Sequence, residues 1–189
     1  MELKHKLFVV LIITLLSITT NNIFANNDKG LPIGYSSHSL IKEKIIKGDI
    51  LLKNELKRLI MEADSLLLLV PPSVVNDNNS PKDFDIHNYV SYAPYWWANP
   101  NTKNGLPYIR RDGHINTELR NKGDDKAFTL MANAVHLLAL TYYYTDNEKY
   151  AKKATDLLSV WFLDTPTKMN PNVEGGQIVL GKNNLGRRA

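Results

Sequence analysis

The chain contains no cysteine among its 189 residues. This absence excludes disulfide bonds, thiol nucleophiles and a lipid anchor on an N-terminal cysteine. Small extracellular scaffolds usually depend on disulfides for stability, so an exported chain of this composition fits a bacterial periplasm better.

Three other patterns are missing from the sequence. No run of basic residues accompanies the formal net charge of +4, so nucleic acid is not an expected partner, although the mild positive excess is compatible with an acidic substrate. No cluster of metal ligands is visible, and neither a metal nor another cofactor is expected. No convincing alternating strand pattern occurs, and residues 177–180 are the one strand candidate. The predicted fold class is all-α.

The first 25 residues have the pattern of a secretory signal peptide. Lys4 and Lys6 precede an apolar run over residues 7–18, and Ala25 ends a segment suited to cleavage. The run is short for a membrane span. We therefore expect residues 1–25 to be removed on export, leaving residues 26–189 as one domain with no membrane contact. The expected location is periplasmic or secreted, and an uncleaved anchor is the alternative.

Two helices are predicted in the first part of the mature chain. Ser39 is expected to cap a short helix that runs to Lys47, with Gly48 as its stop. Asp49 should cap a longer helix that ends before Pro71. The buried stripe of the longer helix is predicted to be Leu52, Leu56, Leu59, Ala63, Leu66 and Val70.

Two further helices are predicted after residue 123. Asp124 and Asp125 place negative charge at the start of the third helix, and Thr145 with Glu148 forms a capping-box pair before the fourth. The predicted core faces are Phe128, Met131, Val135, Leu138 and Tyr142 in the third helix, and Tyr150, Ala154, Leu157 and Trp161 in the fourth. A loop-like segment follows from residue 164. Helix pairs joined by long loops suggest a helical toroid or solenoid.

The loop from Tyr89 to Asn116 has the most unusual composition. It is too rich in Pro, Gly and Asn for a helix or a central strand, and too aromatic for an ordinary solvated loop. Its aromatic residues precede the pair Arg110 and Arg111. Aromatic rings can lie on sugar faces and fixed arginines can bind carboxylates, a combination that suits an acidic polysaccharide. The alternative is a loop packed by its own aromatics, with the arginines in structural ion pairs.

Several motifs resemble the alginate lyase superfamily of polysaccharide lyases. They are, in order, Ala93–Trp97, Gly105–Gly113, Tyr150–Ala154, Trp161–Thr165 and Met169–Asn172. The resemblance covers roughly residues 40–189 and implies an incomplete (α/α) toroid of antiparallel helix pairs, with polymer bound across one end. It also implies cleavage of a uronic-acid polymer by β-elimination. In that chemistry a Tyr or His removes the C5 proton, and Asn, Gln or Arg neutralises the neighbouring carboxylate.

The sequence departs from the family pattern at two places. Gly175 stands where the family would place an aromatic ring. The chain stops inside a motif that continues in the family, so we expect the proton-transfer residues to lie beyond Ala189 and this chain to be an inactive, C-terminally truncated N-terminal portion. No catalytic residue is assigned within the chain.

The candidate substrate-binding residues are Tyr95, Trp96, Trp97, Arg110, Arg111, His114, Asn170 and Gln177. Adjacent tryptophans point to opposite sides of an extended backbone, so one should line a subsite while the other packs beneath it. One arginine should bind a uronate carboxylate while the other pairs with Asp112 or Asp83.

For the remaining candidates the residue types leave two interpretations open. Tyr95 is either a lid residue or packing, and His114 either titrates in the site or is an exposed loop histidine. Asn170 and Gln177 either donate to a carboxylate or cap their own loop. His136 either faces the cleft or is a hydrogen-bonded core histidine, and the core interpretation is the one preferred.

The leading functional prediction is a lyase that cleaves alginate or a related uronan. The first alternative is a non-catalytic module that binds acidic polysaccharide. The second is a hydrolase on a related helical toroid, which would need two opposed carboxylates about 5–10 Å apart. Within the aromatic loop the one acidic residue is Asp112.

Overall fold

The structure, a computed structural model, describes residues 35–76, residue 81 and residues 84–182. The predicted signal peptide, Asp83 and the last seven residues lie outside this part of the chain. The described elements are α1 (Tyr35–Ile46), α2 (Ile50–Leu66), a 3-10 turn (Val74–Asn76), β1 (Trp96–Trp97), β2 (Ile109–Arg110), α3 (Thr117–Arg120), α4 (Asp125–Thr145) and α5 (Glu148–Phe162). The predicted all-α class is confirmed, with the two short strands confined to the aromatic loop. No described helix is long and apolar enough to cross a lipid bilayer.

The described residues divide into two compact units. The first comprises residues 35–70 and 132–157, and the second comprises residues 71–131 and 158–182. The divisions after residues 131 and 157 fall within α4 and α5. The candidate site residues all belong to the second unit.

In the first unit, α1 and α2 follow the predicted order but differ at their ends. The Asp49 cap is confirmed, because its carboxylate accepts a hydrogen bond from the Leu52 amide at 3.1 Å. The predicted cap at Ser39 is wrong, since α1 already begins at Tyr35. Residues 35–38 contain neither Pro nor Gly, and serine is tolerated inside a helix, so nothing forces a start at Ser39.

The second helix ends at Leu66, before the predicted stop. Lys153 donates to the Leu69 carbonyl at 2.6 Å, and this contact satisfies a backbone acceptor just beyond the helix. The predicted stripe is buried at Ala63, but Val70 lies beyond the helix and is 79% exposed.

The stripe prediction holds best for α4 and α5. Met131, Val135 and Leu138 are buried in α4, and Tyr150, Ala154, Leu157 and Trp161 are buried in α5. Phe128 is 37% exposed, although it was predicted for the core.

The junction between α4 and α5 is capped differently from the prediction. Asn147 accepts from the Lys149 amide at 3.2 Å, whereas Thr145 donates to the Thr141 carbonyl within α4 at 2.7 Å. The predicted capping box is therefore wrong. The chain leaves α4 through Asp146, whose φ of 53° places it in the left-handed region.

Candidate functional site

The site is built on an extended segment, residues 89–93, that is bonded on two sides. On one side the Ser91 amide donates to the Gly175 carbonyl at 2.9 Å, and the Ile178 amide donates to the Ser91 carbonyl at 2.8 Å. On the other side the Asp124 amide donates to the Val90 carbonyl at 2.7 Å. The Asp124 carboxylate in turn accepts from the Val90 amide at 2.7 Å. This segment is a fixed base for the residues that follow it.

Close packing against the same segment explains the glycine that departs from the family pattern. A Cβ atom on Gly175 would lie 2.5 Å from the Tyr89 carbonyl oxygen and 3.0 Å from the Phe84 ring. Gly123 approaches the other side as closely, with a Cβ position 2.6 Å from the Val90 carbonyl oxygen. An aromatic ring at position 175 would clash with backbone here. Gly175 therefore serves packing in this chain.

The two strands form a short antiparallel ribbon, which we call the Trp ribbon and define as residues 96–110. Trp96 pairs with Arg110, and Trp97 pairs with Ile109. Buried Asn116 holds the ribbon at its base, because its side-chain amide donates to the Trp96 carbonyl at 2.9 Å. The same side chain caps α3 by accepting from the Leu119 amide at 3.2 Å.

The Trp97 side of the ribbon carries an arginine. The Arg111 guanidinium lies over the Trp97 ring, 5.8 Å from its centroid. The Trp97 indole N–H donates to the His114 carbonyl at 2.8 Å, which fixes the orientation of the ring. Both contacts use the turn after β2, in which the His114 amide donates to the Arg111 carbonyl at 3.2 Å. The ring and the cation are thus held together by one short turn.

The Trp96 side carries a lysine that the sequence interpretation missed. The Lys182 ammonium lies 4.0 Å from the Trp96 ring centroid. Arg110, directly opposite Trp96, donates from its Nε to Asp112 at 2.6 Å. The prediction that one arginine pairs with Asp112 is confirmed. A lysine in the loop after α5 has no local signal that would connect it to Trp96.

The other candidates divide between exposed positions and structural contacts. Tyr95 is 40% exposed, and the side chain of His114 is exposed. Asn170 and Asn172 both donate to the Asn88 side-chain oxygen, at 2.9 and 3.0 Å. The structure therefore places the Asn170 amide in a loop-capping network.

Gln177 combines an exposed side chain with an unusual backbone conformation. Its φ is 56°, and its amide donates to the Ser91 hydroxyl at 2.9 Å. A non-glycine residue in the left-handed region of φ carries a conformational cost. The hydrogen bond to Ser91 and the backbone bridge between Ile178 and Tyr92 offset that cost. The side chain remains available to solvent near the extended segment.

Two tyrosines of the extended segment are poor bases. Burial, together with the hydrogen bond to Asp125, raises the pKa of Tyr89, whose hydroxyl donates to that carboxylate at 2.8 Å. Burial and the charge of Asp124 raise the pKa of Tyr92. Both phenols therefore hold their protons firmly at neutral pH, which leaves little tyrosinate to act as a base.

A histidine–tyrosine pair lies in the first unit. His38 Nδ1 and the Tyr144 hydroxyl are 2.7 Å apart. Burial lowers the pKa of His38, with a smaller contribution from His136, and burial raises the pKa of Tyr144 to about 12. His136 itself is exposed, so its interpretation as a core histidine is wrong. Within the described residues, no three His, Asp or Glu side chains are grouped so that they could hold a metal ion.

Comparison with known proteins identifies the family. A family model described as alginate lyase matches residues 73–189. The crystal structure of an alginate lyase from Bacteroides ovatus, at 1.60 Å resolution, superposes with a TM-score of 0.74 and 44% sequence identity. The match covers 80% of this chain and 40% of that one, so the chain spans less than half of the length of that enzyme. No curated protein matches. With 44% identity over 80% of its length and the family match over residues 73–189, this chain belongs to the alginate lyase family.

Proposed function

We propose that the chain is part of a polysaccharide lyase that cleaves a uronic-acid polymer, and that the Trp ribbon is a main element of its polymer-binding surface. The observation that carries this proposal is the pair of tryptophan–cation contacts, Trp97 with Arg111 and Trp96 with Lys182, on a ribbon fixed by Asn116. Two cations held over half-buried tryptophan rings, one on each side of the ribbon, suit a chain of carboxylate-bearing sugars.

The proposed reaction is β-elimination. A base removes the C5 proton beside the carboxylate, the C4–oxygen bond breaks, a double bond forms between C4 and C5, and the leaving oxygen takes up a proton. In this chemistry Arg111 and Lys182, the two cations held against the ribbon, stabilise the charge on the carboxylate during proton removal. Tyr89 and Tyr92 are unsuited to the role of the base, because both have raised pKa values.

The two tryptophan–cation contacts also support the alternative, a non-catalytic module that binds acidic polysaccharide. One experiment separates the possibilities. The purified chain is incubated with alginate while ultraviolet absorbance, new reducing ends and binding by affinity electrophoresis are followed together. Absorbing products indicate a lyase, and reducing ends without absorbance indicate a hydrolase. Retardation without products indicates a chain that binds the polymer without cleaving it, as expected either of a binding module or of a lyase portion whose proton-transfer residues lie beyond Ala189. A chain that neither binds nor cleaves alginate contradicts all three.

We also propose that the protein acts in the periplasm or outside the cell, after removal of residues 1–25. The basis is the charged start, the short apolar run over residues 7–18 and the small residue at Ala25. Intact-mass measurement of the protein from a periplasmic extract tests the proposal. A mature protein that begins at Asn26 supports it, and a protein that retains Met1 contradicts it.

A further inference from the structure

A cation lies over Trp96 of the Trp ribbon, on a ring face on which a sugar could otherwise stack. The Lys182 ammonium is 4.0 Å from the Trp96 centroid, well inside the range of a cation–π contact, and so covers one face of that ring. The rest of the Trp96 side chain is half-buried. Stacking of a sugar on the covered face would first require displacement of the lysine. Trp96 is therefore better placed to hold a cation than to bind a sugar directly.

The loop that carries Lys182 is fixed to the other end of the ribbon. The Tyr108 amide donates to the Leu180 carbonyl at 2.9 Å. Gly181 has a φ of +77°, and a Cβ atom there would lie 2.7 Å from the Cα of Pro107. The backbone contacts of residues 180 and 181 therefore fix the position of Lys182 beside Trp96, independently of the contact that the Lys182 side chain makes.

The charge of Lys182 remains available to a ligand. Among the residues that the structure describes, no carboxylate forms an ion pair with its ammonium. Arg110, on the same side of the ribbon, is balanced by Asp112 at 2.6 Å. A contact with an aromatic ring leaves the positive charge of the ammonium in place, and its N–H groups can still donate.

We propose that Lys182 is a specificity-determining residue that binds a uronate carboxylate, and that Trp96 is the positioning residue that holds it. This part of the ribbon then selects charged uronan over neutral polysaccharide by recognising the carboxylate rather than the sugar face. The inference rests on the proposed function and extends it to the chemical group that is recognised.

The first test compares alginate with carboxyl-reduced alginate, in which the carboxylates have become neutral hydroxymethyl groups. Binding of each polymer to the full chain is measured by affinity electrophoresis at several salt concentrations. Lys182→Met keeps the length of the side chain and removes its charge. We expect it to weaken alginate binding by about fivefold and to reduce the salt dependence, with no change for the neutral polymer. The matched control is Lys57→Met, an exposed lysine of α2 that lies outside the proposed polymer-binding surface, which should leave both affinities unchanged.

The second test asks whether Trp96 acts through Lys182. Trp96→Leu should lower alginate affinity about as much as Lys182→Met, and the double variant should lose little more, because both changes remove one interaction. Additive losses, or a loss of affinity for the neutral polymer in Trp96→Leu, would show direct sugar stacking and overturn the inference. Lys182 is exposed, so its variant decides the question even where Trp96→Leu does not fold.

The outcomes distinguish this inference from the proposed function. If the unaltered chain binds alginate and Lys182→Met binds it equally well with the same salt dependence, the inference is overturned and the proposed function stands. If the unaltered chain binds neither polymer, the proposed function fails and the inference fails with it.

Discussion

Two neighbouring arginines, Arg110 at the end of the Trp ribbon and Arg111 just after it, have different surroundings. The Arg110 guanidinium is paired with Asp112 at 2.6 Å, whereas Arg111 lies over the Trp97 ring. A pair of opposite charges presents little net charge to a polyanion. Arg111 is therefore the arginine that should attract a uronate carboxylate.

We expect Arg111→Ala to lower alginate affinity by about fivefold, the value of one exposed ion pair. The double variant Arg110→Ala/Asp112→Ala removes one charge of each sign and should change the affinity by less than about twofold. Affinity electrophoresis at fixed ionic strength compares the two. An equal loss in both variants would show that the ion pair, and not Arg111, carries the contact.

A second prediction about a single residue concerns the stability of the chain at Gly175. Gly175→Ala places a Cβ 2.5 Å from the Tyr89 carbonyl oxygen, so either that backbone or the residue must shift. We expect a loss of about 3 kcal/mol in the free energy of unfolding, near the upper end for overpacking.

The matched control is Gly113→Ala, where no atom lies within 4 Å and the backbone has a φ of +77°. Its cost should be roughly 1 kcal/mol, from the left-handed conformation alone. Urea unfolding followed by circular dichroism measures both. Equal destabilisation would mean that the backbone at Tyr89 accommodates a side chain.

The residue types in the aromatic loop indicate a group of candidate binding residues, but not how their side chains are paired. Trp96, Trp97, Arg110 and Arg111 are close in sequence, and their combination is unusual enough to indicate binding. Lys182 joins them through tertiary contacts that no local pattern encodes. For Asn170 the residue type left a ligand contact and loop capping open, and the structure shows the loop-capping bond to Asn88.

At the scale of elements, Asn116 connects the Trp ribbon to α3. Its side-chain oxygen accepts from the Leu119 amide, and its side-chain nitrogen donates to the Trp96 carbonyl. Asn116→Asp keeps the acceptor for the cap but replaces the donor with a carboxylate that faces a carbonyl. We expect a loss of about 1–3 kcal/mol in the free energy of unfolding, because a buried hydrogen bond becomes a repulsive contact.

The control for this variant is Asn101→Asp, which makes the same change at an exposed turn in the ribbon. Urea unfolding of both variants is followed by tryptophan fluorescence, because Trp96 and Trp97 lie in the ribbon. If Asn116→Asp unfolds at the same urea concentration as Asn101→Asp, the bond to Trp96 contributes nothing to stability.

The contact of α1 with α4 should depend on pH. Burial lowers the pKa of His38 in the folded chain, whereas the unfolded chain keeps an ordinary histidine pKa near 6.5. As the pH falls through 6.5, the unfolded state binds a proton first, so stability is lost until the pH reaches the lowered pKa of the folded state. Stability from this group is therefore fully present above pH 6.5.

We expect the urea midpoint of the unaltered chain to fall more between about pH 7.5 and pH 5.5 than that of His38→Gln. His114→Gln, at an exposed loop position, should behave like the unaltered chain. Parallel pH dependence in the unaltered chain and His38→Gln would contradict the assignment of this effect to His38.

Helix interiors were predictable from the sequence, and helix ends were less so. The stripe through Leu157 and Trp161 repeats at helical spacing because burial selects one face, and both residues are fully buried. Lys153 of α5 bonds the Leu69 carbonyl just beyond the end of α2, a tertiary contact that no pattern within α2 encodes. The strands of the Trp ribbon are two residues long, too short to produce a pattern.

At the scale of the whole molecule, the two units differ in the residues that they expose. The proposed function is the binding of an acidic polymer, and the cations proposed for that role, Arg111 and Lys182, lie in the second unit. The first unit instead presents apolar surface. A groove there is lined by apolar residues of α1 and α2 with charged residues beside them, namely Ile41, Ile45, Leu52, Glu55, Leu56, Arg58, Leu59 and Glu62, together with Tyr144 of α4.

Apolar side chains outside this groove are also exposed in the first unit. Leu51 and Met61 of α2 are 77% and 73% exposed, and Leu68, just after the helix, is 88% exposed. Each large apolar side chain removed from water contributes roughly 1.5–3 kcal/mol. Because such surface usually mediates association, we expect the purified chain to self-associate as its concentration rises.

Sedimentation velocity over a range of protein concentrations tests this expectation. The double variant Leu51→Lys/Met61→Lys should shift the distribution toward monomer, since it removes two exposed apolar side chains from α2. Asn54→Lys, at an exposed polar position of the same helix, adds positive charge without removing apolar surface and controls for charge repulsion. If Asn54→Lys dissociates the chain as well as the double variant does, repulsion explains the change. A monomer at every concentration would mean that the exposed side chains of α2 do not form a contact between copies.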